Sequence, residues 1–329
     1  MREQLPRTAI PTVEQFLSYW LRESVKPRLR PLTYAGYAVN VQKHLLPTIG
    51  AIQLDQLTPR HIQEMMNQRL AAGLSPKSVA YIHQVLRTAL GLAVRWQYVE
   101  RNVAALVDRP KLVRKEIRPL APDEARRFLE AIRGHRLEAL FSVALALGLR
   151  QGEALGLRWQ DIDLVAGTLK VSHQLQRING RLTLVEPKSD RSRRTLVMPP
   201  TIVAHLAEHE KRQLAEKLWA GSIWTDSGLV FTNRTGGPTQ ARHVIHQFHH
   251  ELRKAGLPHH RFHDLRHSCA TLLLVQGVSP RVVMEILGHS EIALTMNTYS
   301  HVVPELQREA ADRMESVLTP RNERARERE

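Results

Sequence analysis

Between Thr168 and Pro199 runs TLKVSHQLQRINGRLTLVEPKSDRSRRTLVMP, the one block of this 329-residue chain that is patterned as strands. Short apolar runs alternate with polar residues there. Asn179-Gly180 between two of them is a hairpin signal, because both residue types tolerate the positive φ of a two-residue turn. Lys188 falls in the next turn, ahead of the strand RRTLVM. A block of this length makes only a small antiparallel sheet. The apolar spacing on either side of it is helical. The predicted fold class is therefore mainly α with a small antiparallel β-sheet, arranged as an N-terminal helical domain followed by an α+β domain.

The N-terminal third marks its own boundaries. After an extension at 1–11, PTVEQFLSYWLRESV sets Val13, Phe16, Leu17 and Trp20 on one helical face. RPLTYAGYAVNVQKHLLPTIG follows and is stopped by Pro47 and Gly50. LTPRHIQEMMNQRLAAG opens with Thr58 as cap and Pro59 at the first helical position, where its missing N–H costs nothing, and closes at Gly73. LSPKSVAYIHQVLRTALGLAVRWQYV repeats the device with Ser75 and Pro76. Four helices with short connections predict a bundle over 12–108. DRPKLVRKEIRPLAPDE then loses the period and carries Arg109, Lys111, Arg114, Lys115 and Arg118 between prolines. It predicts a linker at 109–119, either a solvated tether or a strand laid along a nucleic-acid backbone. The second domain spans 120–317. Its helices are predicted at 122–133, 136–148 and 150–157, and, beyond the strands, at 201–219, 239–255, 263–276, 280–287, 291–300 and 304–317. Residues 318–329 form a charged tail with almost no apolar content, predicted to be disordered.

Charge narrows the partners. Lys and Arg outnumber Asp and Glu by 47 to 32, a formal surplus of +15. That favours a polyanion, most simply nucleic acid, over a protein that is merely basic and soluble. The single cysteine, Cys269, excludes a disulfide framework and a cysteine zinc site, and suits a reducing cytosol. No apolar signal region or membrane-length segment is seen, so a cytoplasmic protein with no membrane partner is expected.

Three motifs hold the candidate chemistry. In LGLRQGEALGLRWQDID, Arg150 and Glu153 stand three apart at a helix start, so the carboxylate can hold the guanidinium; a surface ion pair is the plainer reading. In HDLRHSCATLLLVQG, His263, Arg266 and His267 share one face of a helix start. Cations there oppose the helix dipole unless an anion arrives, and an arginine fork suits two phosphate oxygens. The plainer reading is an exposed polar helix end. In LGHSEIALTMNTYSHV, His289 lies at a turn and Tyr299 ten residues beyond, either reactive or merely packed. Together with Lys188, this set suits metal-free phosphodiester chemistry. Guanidiniums neutralise the non-bridging oxygens, a phenol attacks phosphorus, and a lysine or histidine protonates the departing oxygen. A metal site using His263, His267, His289 or the pairs His249-His250 and His259-His260 competes with this, but HExxH is absent and neither metal nor cofactor is expected.

The ordered blocks GLRQGEALGLRW, VEPKSDRSRRTL, HDLRHSCATLLL and LGHSEIALTMNTYSHV resemble those of the tyrosine recombinases, or phage integrases, over about 12–317. The resemblance implies a helical, SAM-like core-binding domain at 12–108 and a tyrosine-recombinase catalytic domain at 120–317, closing as a clamp on duplex DNA. It implies that Arg150 and Arg266 bind the scissile phosphate and that Lys188 protonates the 5′-hydroxyl leaving group. His263 would serve as general acid/base, His289 as a phosphate donor, and Tyr299 as the nucleophile of a 3′-phosphotyrosyl intermediate. Glu153 and His267 would support the site. Arg30, Thr33 and Lys77, near helix starts, are candidate DNA contacts. The implied assembly is a homo-tetramer on two double-stranded DNA sites, compatible with accessory DNA-bending proteins. The helix at 304–317, with Val302, Val303, Leu306, Ala310 and Met314 on or just before it, docks either on its own chain or on a neighbour. Only about ten residues precede the first helix, which puts a separate arm-site domain in doubt.

The expected function is site-specific recombination that integrates or excises a mobile element. A Xer-type resolvase of DNA multimers and a non-catalytic DNA-binding regulator of the same fold are the alternatives. A type IB topoisomerase and a metal-dependent nuclease stand further off.

Overall fold

The computed structural model describes residues 10–112, 118–178, 180–187 and 192–288, with positions 311, 314, 315 and 318. The chain divides into two compact units, Met1–Lys115 and Glu116–Glu329.

The first unit is helical for the reasons its sequence supplies. Helix α1, Val13–Trp20, starts at Thr12, whose hydroxyl accepts from the Gln15 N–H while the Gln15 side chain accepts from the Thr12 N–H. Val13, Phe16, Leu17 and Trp20, the face set by the spacing, are buried. Helix α2, Pro31–Asn40, runs through a wider turn at Val41–Leu45 into α3, Leu46–Ile49. Helix α4, Pro59–Ala71, and helix α5, Pro76–Arg95, start at Thr58 and Ser75, whose hydroxyls accept from His61 and Ser78 N–H. Such caps stabilise a helix by about 1 kcal/mol each. Val79, Ile82, Leu86, Ala89 and Ala93 form the buried stripe of α5, and with Phe16, Leu45, Ile62 and Met65 they make the core of this unit.

The second unit is built around α7, Glu138–Leu147, which is buried on nearly every side and packs on the helices Pro200–Ala220 and Asp264–Val275. Helix α6, Pro122–Ala131, precedes it. Both helices are shorter than their apolar pattern suggests, because Gly134, at φ +74°, turns the chain between them. After the short α8, Gln151–Leu155, come β1, Ile162–Asp163, β2, Thr168–Val171, β3, Gln174–Ile178, β4, Arg181–Val185, and β5, Arg194–Val197. They divide between two antiparallel sheets: β1-β2-β5, with Val171 opposite Arg194, and the hairpin β3-β4. In the hairpin Ile178 pairs with Arg181 and Gly180 sits at φ +81°, as the turn signal predicted. β1 lies outside the block read as strands, since two residues carry no period. Helices α9, Pro200–Ala220, α10, Ala241–Lys254, α11, Asp264–Val275, and α12, Pro280–Leu287, complete the described unit. Phe128, Phe141, Phe231, Phe248 and Phe262 lie in its core. Among the described residues, no helix is long and apolar enough to cross a membrane.

Candidate active site

Helix α7 ends because Gly148 takes a left-handed conformation, φ +60°. Leu149 follows, then Arg150 in an extended conformation, and α8 begins at Gln151. The carboxylate of Glu153 folds back over this start. Its Oε2 accepts from the Arg150 backbone N–H at 3.0 Å, and its Oε1 from Arg150 Nη1 at 2.6 Å. The spacing therefore did produce an ion pair, but not a surface one: the Glu153 side chain is 2% exposed and that of Arg150 36%. Burial works against the Glu153 charge, yet Arg194 and then Arg150 outweigh it and hold the carboxyl below the usual carboxylate range. Gly156, at the end of α8, packs so close to β3 that a Cβ there would lie 2.7 Å from Gln174 Cα. The helix thus rests on the hairpin without a spacer.

Arg266 comes from α11. It is 2% exposed, a depth that rules out a merely solvent-facing helix end. Nη1 donates to Gly148 O at 2.7 Å and Nη2 to Leu287 O at 2.5 Å. Both acceptors close helices, α7 and α12, and α12 also ends in a left-handed glycine, Gly288. The negative ends of two helix dipoles thus offset a cation near the positive end of α11. Asp264 supplies an anion as well. It is buried and accepts from the Arg261 backbone N–H and from Arg261 Nη2, each at 2.7 Å. The Arg266 charge therefore already rests on two carbonyl oxygens at helix ends, before any external anion arrives.

His263 precedes α11 and His267 lies within it, with ring centroids 5.1 Å apart and the planes edge-on. Burial lowers the His263 pKa; Arg266 lowers it further, Asp264 partly opposes, and Arg150 and Arg261 add to the depression. His267 is pushed down to about 4 by burial, then by His263. Both imidazoles are therefore neutral at pH 7. The bond from Arg266 to Gly148 O, two residues before Arg150, brings the His263–Arg266 segment against the start of α8.

Lys188, His289 and Tyr299 lie outside the described residues, as do the helices expected at 291–300 and 304–317 except for positions 311, 314 and 315. Arg30, Thr33 and Lys77 belong to the first unit; all three are exposed, at the starts of α2 and α5. Among the described residues no group of three or more His, Cys, Asp or Glu side chains could hold a metal ion.

One residue escaped the sequence reading. Arg194 Nη2 donates to Glu153 Oε2 at 3.1 Å, and its Nε to Ile286 O at 2.6 Å. The alternation of β5 could have revealed it, since Arg194, Leu196 and Met198 fall on one face and the last two are buried. Chemically, guanidiniums can hold a tetrahedral oxyanion and a neutral imidazole can accept a proton.

Residues 118–305 match the phage integrase family, and residues 12–70 the phage integrase N-terminal SAM-like domain. A "Tyrosine recombinase XerC-like" protein of Caldanaerobacter subterraneus subsp. tengcongensis is 31% identical, over 93% of this chain and 83% of that relative. An "Integrase" of Saccharopolyspora erythraea is 30% identical, over 93% and 82%. The fold is similar to that of a Tn1549 transposon integrase solved with a circular intermediate DNA: TM-score 0.77, 22% identity, over 92% of this chain and 99% of that one.

Proposed function

The chain belongs to the phage integrase family of DNA recombinases, and from that premise we propose that it cuts and rejoins double-stranded DNA through a 3′-phosphotyrosyl intermediate, integrating or excising a mobile element. The observation that carries this reading is the hydrogen bond from Arg266 Nη1 to Gly148 O, two residues before Arg150, which brings the start of α11, with His263, against the start of α8. In the proposed reaction, Arg150 and Arg266 hold the non-bridging oxygens of the scissile phosphate. The Tyr299 oxygen attacks phosphorus and its proton passes to His263, which burial keeps neutral and able to accept it. The bond from phosphorus to the 5′-oxygen breaks, and Lys188 protonates that oxygen. His289 donates a hydrogen bond to the phosphate. A 5′-hydroxyl from the partner strand then reverses the chemistry, so the bond energy is conserved and no ATP is consumed. Glu153 and His267 support the site. Arg30, Thr33 and Lys77 contact the DNA backbone from the first unit.

Two duplexes exchange two strands each, so four tyrosines and hence a homo-tetramer are proposed. The enzyme acts on DNA in the cytoplasm. Integrase names among its relatives support the mobile-element role; the XerC-like relative favours resolution of DNA multimers as a second reading. The test is a nicked duplex carrying the junction of the element that encodes the protein, incubated in EDTA and run on a denaturing gel. A covalent adduct lost in Tyr299→Phe is expected. Binding without an adduct indicates a regulator, and cutting that EDTA abolishes indicates a nuclease. Recombination of dimer-resolution sites in place of element junctions selects the second reading.

A further inference from the structure

We propose that Arg194 is a positioning residue of the cleavage site, one guanidinium that fixes both the carboxylate holding Arg150 and the end of α12 from which the chain continues to His289. This rests on the recombinase reading above and names a residue which that reading leaves without a task.

The placement is unusual for an arginine at the start of a strand. Its side chain is 8% exposed, and a buried charge is costly unless it is paired and hydrogen-bonded. Each part of the fork has a different partner. Nη2 reaches Glu153 Oε2 on α8, Nε reaches Ile286 O at the end of α12, and Nη1 reaches Ser192 O at 3.2 Å, just before β5. One planar group thus ties three segments at fixed angles, which a lysine, with its single point charge, cannot do.

Two consequences follow for the site. Two guanidiniums face the Glu153 carboxylate, Arg150 from the start of its own helix and Arg194 from β5, and both hold its pKa down. Without Arg194 the carboxylate would lose the partner that is itself buried and keep only the partly exposed one. It would protonate more easily and hold Arg150 less firmly. At the other end, the carbonyls of Ile286 and Leu287 are each taken by an arginine, the first by Arg194 and the second by Arg266. The end of α12 is therefore fixed from two sides, one of them the phosphate-binding arginine itself. Arg194 acts on the phosphate only through Glu153, Arg150 and α12, which is why it is a positioning residue and not a catalytic one.

The test uses the full chain and the nicked duplex, reading adduct rate, DNA affinity and the rate–pH profile for wild type, Arg194→Met and Arg194→Lys. A misplaced site costs about 100-fold in rate, so Arg194→Met is expected to slow the adduct by about that factor while DNA affinity holds within about threefold. Its acidic limb is expected to move to higher pH, because Glu153 then loses its charge sooner. Arg194→Lys keeps the charge without the fork; it should retain the wild-type limb and recover only part of the rate. Should the methionine variant not fold, the lysine variant carries the test by its rate. The double variant Arg194→Met with Glu153→Gln should be little slower than the slower single variant, since both act on one link. A wild-type rate and profile in both Arg194 variants, or losses that simply multiply in the double, overturns the inference while the wild-type adduct leaves the recombinase reading intact. Absence of the wild-type adduct overturns both.

Discussion

The Arg266 guanidinium lies 2.7 Å from the carbonyl oxygen of Gly148, joining α11 to the end of α7 across 118 residues of sequence. The same residue reaches Leu287 O, so one side chain sets the distance between two helix ends. Gly148 is central to this arrangement for two reasons. Its φ of +60° is a conformation that a Cβ disfavours, and a Cβ built there would collide with the Leu287 side chain and lie 3.3 Å from Cys269 Sγ.

Gly148→Ala is therefore expected to cost about 2–5 kcal/mol, combining left-handed strain with overpacking of a filled core. The denaturant midpoint measures it. The collision is with the residue whose carbonyl Arg266 holds, so adduct formation should fall further than stability alone explains when measured well below the melting temperature. An unchanged midpoint would show that α12 shifts freely, contrary to its double anchoring by Arg194 and Arg266.

Those features were unequally legible in the sequence. Caps at Thr58 and Ser75, the apolar face of α1 and the hairpin turn at Gly180 are local patterns, and the fold repeats them. The Arg150–Glu153 link was also local, three residues apart, but its burial was not, because the β3-β4 hairpin that packs on α8 and the Arg194 that reaches Glu153 come from elsewhere in the chain. Arg266 shows the limit most clearly. Spacing put it at a helix start, while its partners Gly148 O and Leu287 O are backbone groups that any residue type would offer, and no pattern of side chains advertises them. Arg194 was legible only through strand alternation, and the doubled arginine in RSRRTL hides which of the two points inward.

His267 carries a prediction for acid stability. Its pKa is about 4 in the folded protein, below that of a free imidazole, so the unfolded chain binds the proton more readily. Its neutral form is fully accommodated above the free imidazole pKa, and the fold loses stability as pH falls toward 4. The linkage amounts to about 2–3 kcal/mol across that window. Urea melts at pH 7.5 and pH 4.5 should therefore diverge more for wild type than for His267→Gln. Equal divergence would place the acid sensitivity elsewhere.

Cys269 should be inert in the native protein. The thiol is buried, donates to Ala146 O at 3.4 Å, and burial pushes its pKa up to about 12. Alkylation by a small thiol reagent at pH 8 is expected to be on the order of a thousandfold slower than in urea, since the thiolate is the reactive species. A native rate near the denatured one would mean that α11 opens readily around this residue.

Glu153 offers the sharpest separation of charge from shape. Glu153→Gln keeps the size and leaves an acceptor for one guanidinium, but it removes the anion between Arg150 and Arg194. Arg194 is the more deeply buried of the two, so most of the penalty falls there; breaking a buried pair on one side costs about 3–5 kcal/mol. The wild-type carboxyl is held below its usual pKa, so the stability it confers is complete above the ordinary carboxylate range and is lost only as pH drops through the lowered folded value. The difference in stability between wild type and Glu153→Gln should therefore be constant from pH 8 to about 5 and shrink below about 4, the range in which a free glutamate titrates. Thermal melts of the two proteins across that range measure it. A difference that already shrinks between pH 7 and 6 would mean that the carboxyl is not held by its arginines, and the ordering of Arg150 would then need another source.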